Sequence, residues 1–86
     1  MYYPYCTIWD EIEVVHTPLI NGCTTVHFEK PDSIYCFKIL DCVIPTYKIV
    51  SRVVFTDDEV EELVLFCKNN AGLLLTYASE GGIENI

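Results

Sequence analysis

The spacing of apolar positions along the chain changes once, near residue 55. Before that point short runs of strand-forming residues alternate with turn residues; after it, apolar positions recur every three or four residues. The runs over 6–16, 23–30, 34–44 and 46–55 predict four strands. Asn21-Gly22, flanked by Ile20 and Cys23, suits a two-residue hairpin turn in which both central residues take positive φ. Continued from that turn, the register sets Val15 opposite Phe28, Glu13 opposite Lys30 and His16 opposite His27, on condition that Pro18 inserts no bulge. Lys30-Pro31-Asp32-Ser33 reads as the next turn. The run after it is apolar on both faces, with Ile34, Cys36, Leu40, Cys42 and Ile44 on one and Tyr35, Phe37, Ile39 and Val43 on the other. Such a strand is covered on both sides, or one of its faces is an interface.

The helical part carries its own start and stop signals. Thr56 and Glu59 form a capping box, with Phe55 and Val60 at the positions of a hydrophobic staple. Asp57, Asp58, Glu59, Glu61 and Glu62 fill the first turns, where the helix dipole favours negative charge. Val60, Leu63, Val64, Cys67, Ala71, Leu74, Leu75 and Ala78 make one apolar stripe. Asn69-Asn70-Ala71-Gly72 weakens the middle, so the expectation is either one bent helix over 57–79 or two nearly collinear pieces. Gly81-Gly82 ends it. The fold class is therefore α+β: a four-stranded, mostly antiparallel sheet followed by a C-terminal helix packed on one face (ββββα). Residues 1–86 form a single domain, β-rich over 1–55, helical over 56–80 and a tail over 81–86. The uncovered sheet face is expected to be too apolar to stand in water alone, which predicts a homodimer or a partner surface.

Composition narrows the function classes. The 86 residues carry 5 basic and 13 acidic side chains for a net charge of -8, so direct nucleic-acid binding lacks the cations that displace phosphate counterions. The apolar share of 51% argues against intrinsic disorder. No apolar run approaches the roughly 20 residues that span a bilayer, so no membrane association is expected. The opening MYYPYC has neither the basic start nor the cleavage site of a signal peptide, and 5 cysteines without a Cys-x-x-Cys suit a reducing, cytoplasmic setting. Cys36, Cys42 and Cys67 lie in apolar runs and read as core; Cys6 and Cys23, near strand ends, read as exposed.

Four groups of residues carry candidate chemistry. His16 and His27, side by side in the expected register, could share a metal with Glu29 or Cys23, but they match no zinc-ligand spacing and read mainly as surface histidines. A cysteine nucleophile has no local partner to form its thiolate. The helix N-terminus holds its carboxylates in the charged form, the reverse of what acid catalysis needs, so Asp57, Asp58, Glu61 and Glu62 read as a capping and solubilising group. With Asp10, Glu11 and Glu13 they also offer an acidic face to a basic partner. Tyr2, Tyr3, Tyr5 and Trp9 form an aromatic start suited either to an interface or to covering a sheet edge. No phosphate loop or catalytic triad is present, so no cofactor, no metal and no enzymatic activity are expected.

Phe55-Thr56-Asp57-Asp58-Glu59, then Asn70-Ala71, then Glu80-Gly81-Gly82 resembles a pattern in small bacterial and mobile-element proteins. The resemblance covers about a third of the chain and implies a bacterial or phage origin, with no activity to carry over. The sequence thus points to a small acidic cytoplasmic interaction protein, of the kind that inhibits a host nucleic-acid-handling complex, as anti-CRISPR proteins do. A structural homo-oligomer subunit and a metal-binding or enzymatic domain on His16 and His27 are the alternatives.

Overall fold

The turn at Asn21-Gly22 forms as expected: both residues have positive φ (53° and 79°), and the Ile20 and Cys23 amides donate to each other's carbonyls at 2.8 and 3.0 Å. Around it the structure, a computed structural model that describes residues 1–82, builds five strands and one helix. These are β1 (Tyr3–Ile8), β2 (Ile12–His16), β3 (Thr24–Asp32), β4 (Cys36–Ile44), β5 (Lys48–Val53) and α1 (Asp57–Glu80). The sheet is an antiparallel meander in the order β1-β2-β3-β4-β5, with α1 across one face. The expected tail over 83–86 lies outside the described residues.

The fifth strand comes from the run 6–16, which folds back on itself. Trp9 and Asp10 both adopt positive φ (52° and 57°), and the Glu11 amide donates to the Ile8 carbonyl at 3.2 Å. Left-handed backbone is the province of Gly and Asn, and a bulky aromatic there is an outlier. Asp10 is the one common turn residue at the fold-back, without a glycine or proline beside it.

The register between β2 and β3 also differs from expectation by one residue. The Thr17 amide still donates to the Thr25 carbonyl at 3.1 Å, but the chain leaves the ladder at Pro18, and Leu19 donates instead to the Ala78 carbonyl of α1 at 3.0 Å. Glu13 therefore faces Glu29, Val14 faces Phe28, Val15 faces His27 and His16 faces Val26. A slip of one moves a side chain to the other face of the sheet. His16 and His27 are thus not neighbours: His16 points to α1 and His27 to the uncovered face. Thr24 stitches the crossing, donating its hydroxyl to the Thr17 carbonyl at 2.7 Å.

The turn after β3 also differs from expectation. That strand runs on through Pro31 to Asp32, so Ile34 and Tyr35 belong to the turn and not to β4. This removes two of the residues that made the run 34–44 look apolar on both faces. Cys36, expected in the core, is exposed at the start of β4 with φ 71°.

The core lies between the sheet and α1. Ile12, Val14, Val26, Phe28, Leu40, Cys42 and Ile44 supply the sheet side, and Phe55, Leu63, Cys67, Leu74 and Ala78 come from the helix and the link before it. The helix is one continuous element over 24 residues. Asn70 does not break it; its side-chain Nδ2 donates to the Phe66 carbonyl at 2.9 Å. The capping box forms in both directions, Glu59 N to Thr56 Oγ1 at 3.3 Å and Thr56 N to Glu59 Oε1 at 3.0 Å. At the other end Gly81 takes the left-handed conformation (φ 84°), and the Gly82 amide donates to the Tyr77 carbonyl at 2.7 Å. The uncovered face is more polar than expected. Val15, Ile39, Val43 and Val53 surround a charged centre of His27, Asp41 and Glu29.

Candidate functional site

The aromatic start divides between the two readings the sequence left open. A bulge between Pro4 and Cys6 leaves Tyr5 outside the β1–β2 ladder. Its hydroxyl donates to Asn70 Oδ1 at 2.9 Å, and its ring packs against Phe66 and Tyr77 with centroids 6.3 and 6.0 Å apart. Burial pushes the Tyr5 phenol above its ordinary value, so it stays a donor. Tyr3 lies against His16 at 5.8 Å between centroids and closes on Gly82. Tyr3 and Tyr5, both half-buried, therefore hold β1 to the helix side of the fold. Trp9, at the tip of the β1–β2 turn, stays 54% exposed.

His16 is fully buried; its Nδ1–H donates to the Thr17 carbonyl at 2.9 Å, and Nε2 has no partner among the described residues. On the opposite face Tyr2 lies over His27 at 5.1 Å, beside a cavity of about 260 Å³ lined by Tyr2, Glu13, Val15, His27 and Glu29. His27 sets Nδ1 against Asp41 Oδ1 at 2.6 Å and Nε2 against Glu29 Oε1 at 3.3 Å. A neutral ring donates to one of these oxygens and a protonated ring to both. Among the described residues no three His, Cys, Asp or Glu side chains are grouped to hold a metal ion.

Cys42 of β4 and Cys67 of α1 are both buried, and the Cys42 thiol donates to the Val43 carbonyl at 4.0 Å. The interaction between the two thiols lowers Cys42 and raises Cys67, whose burial adds to the rise. Neither is open to a substrate.

Most of the remaining candidates meet at one end of the sheet. There the β1–β2 turn, the β3–β4 turn and the link from β5 to α1 all emerge on the same side, which follows from the meander order. Lys30 ties the first two together through Glu11 at 3.2 Å, Lys38 ties β4 to α1 through Glu59 at 3.3 Å, and Arg52 ties β5 to α1 through Asp57 at 2.7 Å. The expected Glu13–Lys30 pairing is thus replaced by Glu11–Lys30. Asp10, Asp58, Glu61 and Glu62 have no ion pair among the described residues. Trp9, Asp10, Glu11, Asp57 and Asp58 are brought to this end, Glu61 and Glu62 follow along α1, and Tyr2 and Glu13 lie apart on the uncovered face.

This end also presents residues the sequence reading placed inside a strand. Ile34 is 78% exposed, Tyr35 63% and Phe37 44%, and Val54 is exposed beside them in the link to α1. Turn tips ordinarily carry Gly, Asn, Asp or Ser. Here the Asp32 carboxylate accepts from the Ile34 amide at 3.1 Å and the Tyr35 amide at 2.8 Å, fixing the loop that displays them. The Tyr35 amide is the main reason the Asp32 carboxyl sits below its ordinary value. The legible signal was that carboxylate two and three residues ahead of the two amides it caps.

Along the flank of α1 lies an open surface region of about 780 Å³, bordered by Val60, Val64 and Leu65 together with Asp57, Asp58, Glu61 and Glu62. Lys68 also borders it, its ammonium 5.5 Å from the centre of the Tyr47 ring. The chain matches no family model, no curated protein and no solved structure.

Proposed function

We propose that this chain acts by binding another protein through the turn end of its sheet, with Trp9, Ile34, Tyr35 and Phe37 as the apolar centre. Asp10, Glu11, Asp57 and Asp58 make its acidic rim. The observation that carries the reading is the exposure of Ile34 and Tyr35 on a turn whose amides the Asp32 carboxylate caps. Rigid aromatic and aliphatic anchors within a polar rim are the usual composition of a binding hot spot, because they bury area with little loss of side-chain entropy.

The rim decides what kind of partner fits. At a net charge of -8, two copies of this chain would bring like charges together, so a basic partner is favoured over a second copy. A complex that handles nucleic acid offers such a surface, because it must hold phosphates. Occupying that surface would make this chain an inhibitor, in line with the mobile-element resemblance of its C-terminal third. No catalytic step is needed.

The test is capture from a bacterial lysate by the tagged protein, at low and high salt, beside the double variant Ile34→Ser/Tyr35→Ser. The reading expects a partner that is retained at low salt, released at high salt and lost with the variant, while the melting temperature of the variant is unchanged. Capture that ignores both salt and the variant overturns it.

A further inference from the structure

We infer that the outer face of α1 docks a helix of the partner, one whose lysines or arginines lie over the first two turns of α1 and whose backbone comes close at Gly72. The inference rests on the reading of the chain as an interaction protein, but it uses a different surface from the turns.

Two residues on that face lack a reason within the chain. Leu65 is 56% exposed, on the side of α1 away from Leu63, Cys67, Leu74 and Ala78, which are buried. Gly72 follows seven positions later. Seven steps of roughly 100° return to within about 20° of the same line, so the two stand one above the other, two turns apart. Glycine is among the least favourable residues in a helix interior. Yet a Cβ at Gly72 would meet nothing within 4 Å, and its φ is not positive, so neither packing nor backbone conformation asks for glycine here. What a missing side chain on an outer helix face permits is the close approach of a second helix, since interaxial distance is set by the side chains at the contact. A leucine knob and a glycine gap two turns apart have the shape for such a crossing.

Charge selects the occupant. Leu65 shares the flank of α1 with Asp57, Asp58, Glu61, Glu62 and Lys68, and of these carboxylates Asp57 alone has an ion-pair partner among the described residues, Arg52. A helix with basic residues at that end supplies what the face lacks. A second copy would add the same carboxylates again.

The probe is a synthetic amphipathic helix of about 18 residues, roughly 27 Å long, with a leucine stripe and lysines at one end; a matched peptide carries glutamate in place of lysine. Binding is followed by amide chemical shifts of the ¹⁵N-labelled full chain and by fluorescence anisotropy. The inference expects shifts concentrated on the outer face of α1, from Asp58 to Thr76, with the lysine peptide and none with the glutamate peptide. Leu65→Ser and Gly72→Leu should each weaken binding at least tenfold. Gly72→Leu should also raise the melting temperature, which excludes misfolding as the cause. Ile34→Ser/Tyr35→Ser should leave peptide affinity unchanged, so that failure of the turn-end reading and failure of this one are told apart. Absence of binding, shifts scattered over every acidic surface, or affinity indifferent to Leu65 and Gly72 would each overturn it.

Discussion

Tyr5 separates a structural aromatic from a binding one, and its replacement can be worked out from its contacts. Tyr5→Phe removes the hydroxyl that donates to Asn70 Oδ1 at 2.9 Å and leaves that acceptor stranded between β1 and α1. A net hydrogen bond contributes about 0.5–1.5 kcal/mol, and an unsatisfied part-buried acceptor adds to the loss, so about 1.5 kcal/mol is expected. In a domain of this size that lowers the melting temperature by roughly 6–12 °C. Tyr5→Ala also removes the ring from Phe66, Tyr77 and His16. Full truncation of a buried aromatic costs about 3–5 kcal/mol, and the half-buried Tyr5 should lose about 3. Urea denaturation of wild type, Tyr5→Phe, Asn70→Ala and the double variant measures the coupling directly, expected near 1 kcal/mol. Partner capture by the folded Tyr5→Phe protein should equal wild type. A loss inside about 0.5 kcal/mol, the range of a surface substitution, or a stable variant that no longer binds, would refute the assignment of Tyr5 to the core.

Other consequences follow from single features. Gly82 sits at φ 99° with a Cβ position 3.0 Å from the Tyr3 ring, so Gly82→Ala should destabilise by more than about 1 kcal/mol, whereas Gly72→Ala, in open space, should stabilise by about that amount; thermal melts decide both. Asp32 and Glu59 are both held below their ordinary values of 3.8 and 4.5, Asp32 chiefly by the Tyr35 amide and Glu59 chiefly by the Thr56 amide. The unfolded chain therefore takes up these protons first: their stabilisation is complete above the ordinary values and is lost as pH falls below them, so Asp32→Asn/Glu59→Gln should flatten the acid limb of a melting-temperature profile. With Cys6, Cys23 and Cys36 changed to serine, the buried Cys42 and Cys67 thiols should resist a thiol-specific label in the folded chain and take it up only on unfolding, which intact-mass measurement reads.

Local signals explain what was legible in the sequence. The capping box, the staple and the double glycine act within a few residues of one another, and α1 starts and stops where they place it. The Asn21-Gly22 turn is equally local. What was not legible depends on the rest of the fold. Trp9 and Asp10 hold a left-handed turn without glycine because the pairing of Cys6, Thr7 and Ile8 with β2 forces the chain back. The β2–β3 register slips because Leu19 finds a hydrogen-bond acceptor on the last turn of a helix about sixty residues away. That slip puts His16 and His27 on opposite faces of the sheet, so the two are not the neighbours the expected register made them. It also sets Glu13 opposite Glu29, a like-charged pair that spacing alone did not suggest. For the candidate site, Trp9 and the acidic residues were readable as exposed. Ile34 and Tyr35 were not, because apolar residues after a short turn read as the start of a strand.

The placement of the few cations links the fold to the proposed binding. Lys30 and Lys38 stand opposite each other across β3 and β4, an arrangement that is unfavourable for like charges. Each is neutralised from a different element, Lys30 by Glu11 of the β1–β2 turn and Lys38 by Glu59 of α1. Arg52 is spent on Asp57 and on the Phe55 carbonyl, to which its Nε donates at 2.8 Å. Three of the chain's 5 basic side chains thus serve as internal cross-links at the end where Trp9, Ile34, Tyr35 and Phe37 are exposed. The turns that display those residues are held in place by the same cations that would otherwise mask the surrounding carboxylates. The remaining carboxylates of that end and of α1 are left to act at a distance, and fields of this kind raise association rates with an oppositely charged partner and weaken as salt is added. Apolar anchors on cross-linked turns, and a rim in which Glu11 and Asp57 are paired while Asp10 and Asp58 are not, are therefore two results of one distribution of charge.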